Sequence, residues 1–159
     1  MLKRCCALWL LSWTGFAQAG PVALEVVDSA GVVSQRFALA DGQRWCLLWN
    51  HSVAGFAVRD CFAWQPPQLL LRDSHQPDFA AGLGHIEGRG VQRSDGAGGY
   101  FIEGIDQPLA GNRLPLRVGA MAVNHRIEID GRVHSLSAAH AGERIELRVA
   151  PATVVESEQ

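Results

Sequence analysis

The sequence has little positive charge and no long apolar run after its first 20 residues. Lys3 is the only lysine, and 14 basic residues against 16 acidic ones give a net charge of −2. Because polyanions are bound through an excess of positive charge, this balance argues against a nucleic-acid partner. No later segment approaches the roughly 20 apolar residues that a membrane-spanning helix needs. The other fixed cations are arginines, whose guanidinium group suits bidentate contacts with carboxylates or phosphates.

The first 19 residues have the three-part layout of a secretory signal peptide. Lys3 and Arg4 form a basic start, residues 5–16 are an apolar run, and small residues precede a cleavage point after Ala19. The run is too short to span a bilayer, and an uncleaved N-terminal anchor is the alternative interpretation. We expect a periplasmic or otherwise exported protein that is not embedded in the membrane once the leader is removed.

Removal of the leader takes the net charge to −4 and leaves about 140 residues, which is within the size range of one domain. We therefore predict three parts. These are a signal peptide at residues 1–19, a single β domain at 20–150 and a flexible tail at 151–159.

Cysteine is scarce, since two of the four cysteines lie in the leader and only Cys46 and Cys61 remain. Residues 44–64 resemble a hairpin, and if His51 and Phe56 flank its loop, Cys46 faces Cys61. We predict a cross-strand disulfide, which for a loop of this size stabilises a fold by about 3 kcal/mol in the chain-entropy model. The close Cys-x-x-Cys spacing of a redox or metal pair is absent.

Short runs with strand composition follow one another along the chain, each bounded by Gly, Pro, Asp or Asn. The glycine-rich residues 73–99 interrupt this pattern, so we expect one long loop there. Asp130-Gly131 is the strongest two-residue hairpin signal. The pattern predicts an all-β fold, an antiparallel sandwich or partly open barrel of eight to ten short strands with minimal helix. The predicted strands cover residues 22–27, 32–39, 44–51, 57–64, 68–72, 99–105, 114–118, 123–129, 132–136 and 143–149.

Two polar clusters have the residue types of a ligand-binding site. Asn50, His51 and Ser52 stand at the loop end of the hairpin, where a rigid strand presents them together at a rim. A role for His51 in capping the turn is the alternative. The aromatic residues of the hairpin strands, which share one face of each strand, are expected in the core.

The second cluster lies in the glycine-rich loop and contains His75, Asp78 and His85. With His125 these residues have the chemistry of a zinc site, and the surrounding glycine backbone with nearby arginines suits an anion. A polar loop satisfied by its own hydrogen bonds is the third interpretation. The spacing does not decide between them.

The sequence lacks the signatures of the common enzyme classes. Serine, histidine and aspartate occur in both clusters, but no G-x-S-x-G elbow of a serine hydrolase is present. No glycine-rich loop lies between a strand and a helix, where it would hold a nucleotide. His134 and His140 are isolated in the sequence and receive no role. We favour a non-enzymatic protein and predict no catalytic residues, no cofactor and no resident metal.

Four stretches of the chain together resemble a bacterial family, the domain of unknown function 1850 (DUF1850). They read WNHSVAGFAVRDCFAW, RDSHQPDFAAGLGHIEGRG, LPLRVGAMAVNHRIEI and GRVHSLSAAHAGERIEL. The family pattern is a hairpin with His-Ser-Val, a glycine-rich segment, and a late strand with Arg and Asn-His. In this chain the pattern falls on His51-Ser52-Val53, residues 81–90, and Arg117 with Asn124-His125.

The resemblance implies a small exported protein that accompanies transporters of the TAXI branch of the tripartite ATP-independent periplasmic type, which use a solute-binding protein and a permease. The family has no established activity, so the resemblance supplies no catalytic residues.

We accordingly predict a non-enzymatic periplasmic accessory or binding protein. Its partners would be the solute-binding protein or permease of such a transporter and a small carboxylate solute. An arginine would hold the carboxylate, and a histidine with Asn50 or Asn124 would orient it. The predicted ligand-binding set is Asn50, His51, Ser52, His75, Asp78, His85, Arg117, Asn124 and His125. The alternative function is a metal-binding protein or metal-dependent enzyme, and its ligands would be His51, His75, Asp78, His85 and His125.

Overall fold

The computed structural model describes residues 20–77 and 88–152, so the predicted leader, Asp78 and His85 lie outside the described residues. Within the described ranges there are twelve β-strands, a 3₁₀ turn at Ala110–Asn112 and one helical turn, α1, at Ser137–His140. None of the helical segments described is long and apolar enough to cross a membrane. The strands are β1 Val22–Val27, β2 Val33–Leu39, β3 Arg44–Asn50, β4 Ala57–Gln65, β5 Gln68–Gln76, β6 Val91–Ser94, β7 Tyr100–Glu103, β8 Gln107–Pro108, β9 Arg113–Arg117, β10 Arg126–Ile129, β11 Arg132–Ser135 and β12 Arg144–Pro151.

The strands form two antiparallel sheets, which confirms the predicted all-β sandwich class. The small sheet has the strand order β2-β1-β12-β9. The large sheet has the order β11-β10-β3-β4-β5-β7-β6, with β8 paired to β5. Neither set of described strands closes into a barrel. The predicted hairpin at Asp130-Gly131 joins β10 to β11, and both turn residues have positive φ angles, as a tight two-residue turn requires.

The core lies between the two sheets, because alternate side chains of each strand face inward. Leu24 and Leu147 of the small sheet are fully buried against Trp45, Phe62 and Trp64 of the large sheet. Trp45 stacks on Phe62, its cross-strand neighbour, with ring centroids 4.5 Å apart. Three of the hairpin aromatics, Trp45, Phe62 and Trp64, therefore lie in the core, as predicted.

The β3–β4 hairpin has the register that the sequence predicts. Asn50 pairs with Ala57 beside the loop, and Cys46 lies directly opposite Cys61. The two cysteines form a disulfide with their Cα atoms 4.1 Å apart. The predicted cross-strand disulfide is confirmed.

The predicted long loop is wrong at both ends. β5 continues to Gln76 instead of ending at Arg72, and β6 occupies Val91–Ser94, so strand pairing reaches into residues 73–99. The sequence conceals β6 because all four of its residues are exposed and carry no alternating apolar pattern. With the two-residue β8 it brings the described strands to twelve, above the eight to ten expected. Pro151, expected to begin the tail, ends β12.

A buried carboxylate joins three strands on the outer face of the small sheet. Glu25 on β1, whose side chain is 4% exposed, accepts hydrogen bonds from Arg36 on β2 and from Arg148 on β12. Burial alone would raise the pKa of Glu25, but the two guanidinium groups outweigh it and hold the pKa below its ordinary value. Glu25 is therefore ionised at neutral pH and bridges both neighbouring strands.

Reduction of the Cys46–Cys61 disulfide is expected to lower the free energy of unfolding by about 3 kcal/mol, because the two cysteines are 15 residues apart in the chain. Denaturant titration with and without a reductant measures the difference. The double variant Cys46→Ala, Cys61→Ala is the control, since a reductant should leave its unfolding midpoint unchanged. Equal midpoints for the oxidised and reduced natural protein would contradict the expectation.

Candidate functional site

A cavity of about 370 Å³ opens at the loop end of the β3–β4 hairpin. We call it the rim cavity. It lies between the hairpin loop and the segment that connects β9 to β10. Its lining residues are Trp49, Asn50, His51, Ser52, Arg117, Gly119, Val123 and His125. Five of the predicted site residues thus come together from two distant parts of the chain.

His51 follows β3 directly and caps the hairpin loop. Its Nδ1 accepts hydrogen bonds from the backbone N–H groups of Val53 and Ala54 at 3.3 and 3.2 Å. Its ring stacks on Phe56 with centroids 5.1 Å apart. Because Nδ1 is an acceptor, the neutral ring carries its proton on Nε2. His51 therefore both caps the turn and retains one N–H donor for a ligand.

His125 precedes β10 and is buried. Its Nδ1 accepts a hydrogen bond from the backbone N–H of Gly119 at 2.9 Å. Its own backbone N–H donates to Ser137 Oγ, and that hydroxyl donates to the carbonyl of Gly119, both at 2.9 Å. Burial lowers the pKa of His125 below its ordinary value. The ring is therefore neutral at pH 7 and, like His51, carries its proton on Nε2.

Two features fix the segment between β9 and β10, which forms one side of the rim cavity. A Cβ on Gly119 would lie only 2.5 Å from the Cβ of Val123, so a larger residue would force the segment open. The backbone N–H of Asn50 donates to the carbonyl of Val123 at 2.7 Å, and its side-chain amide donates to the carbonyl of Ala122 at 3.1 Å. Asn50 thus ties the end of β3 to the segment before β10.

Arg117 ends β9 as an exposed cation at the cavity. Arg113, four residues earlier on the same strand, is paired with Glu146, whereas Arg117 has no ion pair in the described part of the chain. Its cross-strand partner is Arg144, which has none there either. Like charges directly opposite each other destabilise a sheet. This pair of cations is therefore suited to an anion from solution.

The lining of the rim cavity offers hydrogen-bond donors and no carboxylate. The two histidine Nε2–H groups, the Arg117 guanidinium and the Ser52 hydroxyl can donate, while Trp49 and Val123 supply apolar surface. A carboxylate contains only acceptors and makes its strongest hydrogen bonds with charged donors. The lining matches a small molecule that has a carboxylate and an apolar part.

Asn124 and His75 do not line the rim cavity. Asn124 lies in the same segment, but its backbone φ of 51° is in the left-handed region that asparagine tolerates, so a backbone requirement accounts for this residue. His75 lies on β5, where Nε2 is 2.9 Å from Asp95 Oδ2 and the ring stacks on Phe101. The hydrogen bond from His75 lowers the pKa of Asp95. The prediction that His75 joins His51 in one site at the loop end of the hairpin is therefore wrong, because β5 is separated from β3 by β4.

The described residues give the metal alternative no support. Within residues 20–77 and 88–152, no three His, Cys, Asp or Glu side chains are placed to hold a metal ion. Asp78 and His85, its other proposed ligands, lie outside the described residues.

Sequence reasoning missed two features of this end of the molecule. It placed Trp49 in the core, whereas the half-buried ring lines the rim cavity. It also gave His140 no role, whereas the ring lies between Ser34 Oγ and Glu143 Oε2, each 2.9 Å from a ring nitrogen. Ser34 and His140 are 106 positions apart, so no local spacing could reveal the contact.

His125 is expected to titrate below pH 6.5, because its burial disfavours the imidazolium. The unfolded chain takes up this proton first, so the stabilising contribution of the neutral ring is present above about pH 6.5 and is lost as the pH falls through the lower folded pKa. Nitrogen-15 NMR of the histidine rings measures the titration and the tautomer. A midpoint above 6.5, or a proton on Nδ1 in the neutral form, would contradict the geometry.

Residues 46–136 match the protein family described as Domain of unknown function (DUF1850). The matched segment contains the β3–β4 hairpin from Cys46 onward, the disulfide and all eight residues that line the rim cavity. No curated protein and no solved structure matches the chain.

Proposed function

The chain belongs to the DUF1850 family, and on that premise we propose that it is an exported accessory protein that binds a small carboxylate solute. It supports a TAXI-type tripartite ATP-independent periplasmic transporter, as the family resemblance implies. Its protein partner is the solute-binding protein or the permease of that transporter.

The donor-rich lining of the rim cavity, which contains no carboxylate, carries the binding part of this proposal. Two histidines that present Nε2–H groups, beside an arginine with no carboxylate partner in the described residues, favour an anion over a cation. Backbone N–H groups already hold both rings through Nδ1. The donors are therefore oriented before the ligand arrives, which reduces the entropy lost on binding.

The size and the apolar surface of the cavity narrow the ligand class. A volume of about 370 Å³ suits a small molecule. Trp49 and Val123 would contact an apolar substituent of such an acid, while the charged group faces Arg117 at the open side. A small monocarboxylate with a short apolar chain satisfies both requirements.

The location outside the cytoplasm is supported by two features. The first 19 residues have the layout of a signal peptide, and the Cys46–Cys61 disulfide is of the kind that persists in oxidising compartments.

Short-chain monocarboxylates are expected to bind the protein from residue 20 onward, whereas the amides of the same acids are not. Calorimetry and thermal melting measure the affinity and the rise in Tm. Arg117→Gln should weaken carboxylate binding about tenfold or more, because it removes a charge-assisted hydrogen bond.

Arg113→Gln is the matched control, since this arginine lies on the same strand but is paired with Glu146 and does not line the cavity. Equal affinity in the two variants, or equal binding of acids and amides, would exclude the proposed site. A melting temperature raised by zinc and not by carboxylates would favour the metal alternative instead.

The transporter role is expected to show as a loss of TAXI-dependent solute uptake when the gene is deleted, and as co-purification with the solute-binding protein or the permease. Complementation with Arg117→Gln should restore uptake less well than complementation with Arg113→Gln. Normal uptake in the deletion strain, with no partner recovered, would exclude the accessory role and leave the carboxylate site to be judged by its own binding data.

A further inference from the structure

A serine, a histidine and a glutamate are linked by two successive hydrogen bonds at the edge of the small sheet. Ser34 Oγ is 2.9 Å from His140 Nε2, and His140 Nδ1 is 2.9 Å from Glu143 Oε2. The three residues come from β2, from α1 and from the turn before β12. We infer that this group, the Ser34 site, is a second functional site that hydrolyses small carboxylic esters, an activity beyond the proposed binding role.

The protonation states follow from the hydrogen-bonding partners. A carboxylate has only acceptors, so His140 Nδ1 carries a proton and donates a hydrogen bond to Glu143 Oε2. When the ring is neutral, Nε2 is an acceptor to which the Ser34 hydroxyl can donate. The hydroxyl also lies 3.3 Å from the carbonyl of Val26, a longer and weaker contact. This is the arrangement that prepares a serine for nucleophilic attack.

A β-bulge directs Ser34 toward the histidine. Along the β1–β2 ladder Val26 pairs with Gln35 and Val27 pairs with Val33, which leaves Ser34 without a cross-strand partner. An extra residue of this kind bends the strand and changes the direction of its side chain, and bulges are common beside active sites. The bulge therefore places Ser34 Oγ beside the buried ring of His140.

The nucleophile is accessible from solvent. Ser34 is exposed, and a groove of about 260 Å³ runs past it, lined by Val33, Gln35 and Arg36 as well. β2 is an edge strand of the described small sheet, so its open side presents backbone N–H groups without a strand partner. Backbone N–H groups are the usual donors to the oxyanion of an acyl-transfer intermediate. An ester that lies in this groove would meet both the hydroxyl and such donors.

The reaction uses the ester and water alone. Ser34 Oγ forms a bond to the carbonyl carbon while its proton passes to His140 Nε2, and collapse of the intermediate breaks the bond to the leaving alcohol, which takes that proton. Water then attacks the acyl-serine and gives one proton to Nε2, and the second collapse returns that proton to Ser34 Oγ and releases the carboxylic acid. Glu143 is a positioning residue that keeps the ring in the required tautomer.

The Ser34 site and the rim cavity lie at opposite ends of α1. Ser137 at its start holds His125 and Gly119 of the cavity, and His140 at its end contacts Ser34. The product of ester hydrolysis is a carboxylate, which is the class of ligand that the donor lining of the cavity fits. The two sites nevertheless share no lining residue, so they can be tested separately.

Labelling with a fluorophosphonate probe tests the nucleophile directly. The probe is expected to modify Ser34, with fluoride as the leaving group, and peptide mass spectrometry identifies the residue. Ser34→Ala should abolish both the labelling and the hydrolysis of 4-nitrophenyl acetate. Ser94→Ala is the matched control, because Ser94 is also an exposed serine on an edge strand but has no histidine partner among the described residues. Equal rates in the two variants, or a probe that labels no residue or another residue, would overturn the inference.

Glu143→Gln separates positioning from structure. It should lower kcat for 4-nitrophenyl acetate about 100-fold or more with little change in KM, and Glu143→Asp should recover part of that loss. Melting curves establish that each variant is folded. Unchanged kcat in folded Glu143→Gln would also overturn the inference. Folded Ser34→Ala should still bind carboxylates, so failure of the Ser34 site and failure of the rim cavity give different results.

Discussion

The register of the β3–β4 hairpin is the constraint on which the rest of the structure depends. Because side chains alternate across a sheet, a slip of one residue between the two strands would turn either Trp45 or Phe62 out of the core and separate Cys46 from Cys61. The disulfide and the aromatic stack therefore select the same pairing. That pairing also ends the hairpin at His51, so the position of the rim cavity follows from the packing of the core.

The segment between β9 and β10 completes the rim cavity through backbone contacts. Gly119 approaches Val123 so closely that it has no room for a side chain, and its N–H and carbonyl bind His125 and Ser137. These bonds place a neutral imidazole beside the hairpin loop and remove one of its nitrogens from ligand contact. The cavity is thus specified largely by the groups that orient its histidines, and a carboxylate is the ligand that we propose for these donors.

The one-turn helix α1 connects this arrangement to the edge of the small sheet. Its first residue, Ser137, supports the rim cavity, and its last residue, His140, reaches the bulged Ser34 on β2. A binding or catalytic group keeps its geometry only when the surrounding structure holds it rigidly. The four-residue helix α1 can hold both sites in place because Ser137 and His140 are buried.

Much of the fold could be predicted from local pattern. The alternation of Trp45, Leu47 and Trp49 indicated a strand with a core face, and the loop between His51 and Phe56 gave the hairpin pairing. β6 escaped prediction because an exposed edge strand carries no apolar alternation. His75 was misplaced for another reason. Its residue type suited the site, but its strand lies beyond β4, where the ring pairs with Asp95.

By itself the sequence determined the strand-rich class, the cysteine pair, the hairpin register and the leader-like start, because each depends on residues close together in the chain or on a closed local loop. Only the tertiary structure decided that Arg117 and His125 meet His51, that His75 does not, and that His140 meets Ser34. Those contacts depend on the order of the strands within the two sheets. Periodicity states which face of a strand is buried, but it does not state which strand lies beside it.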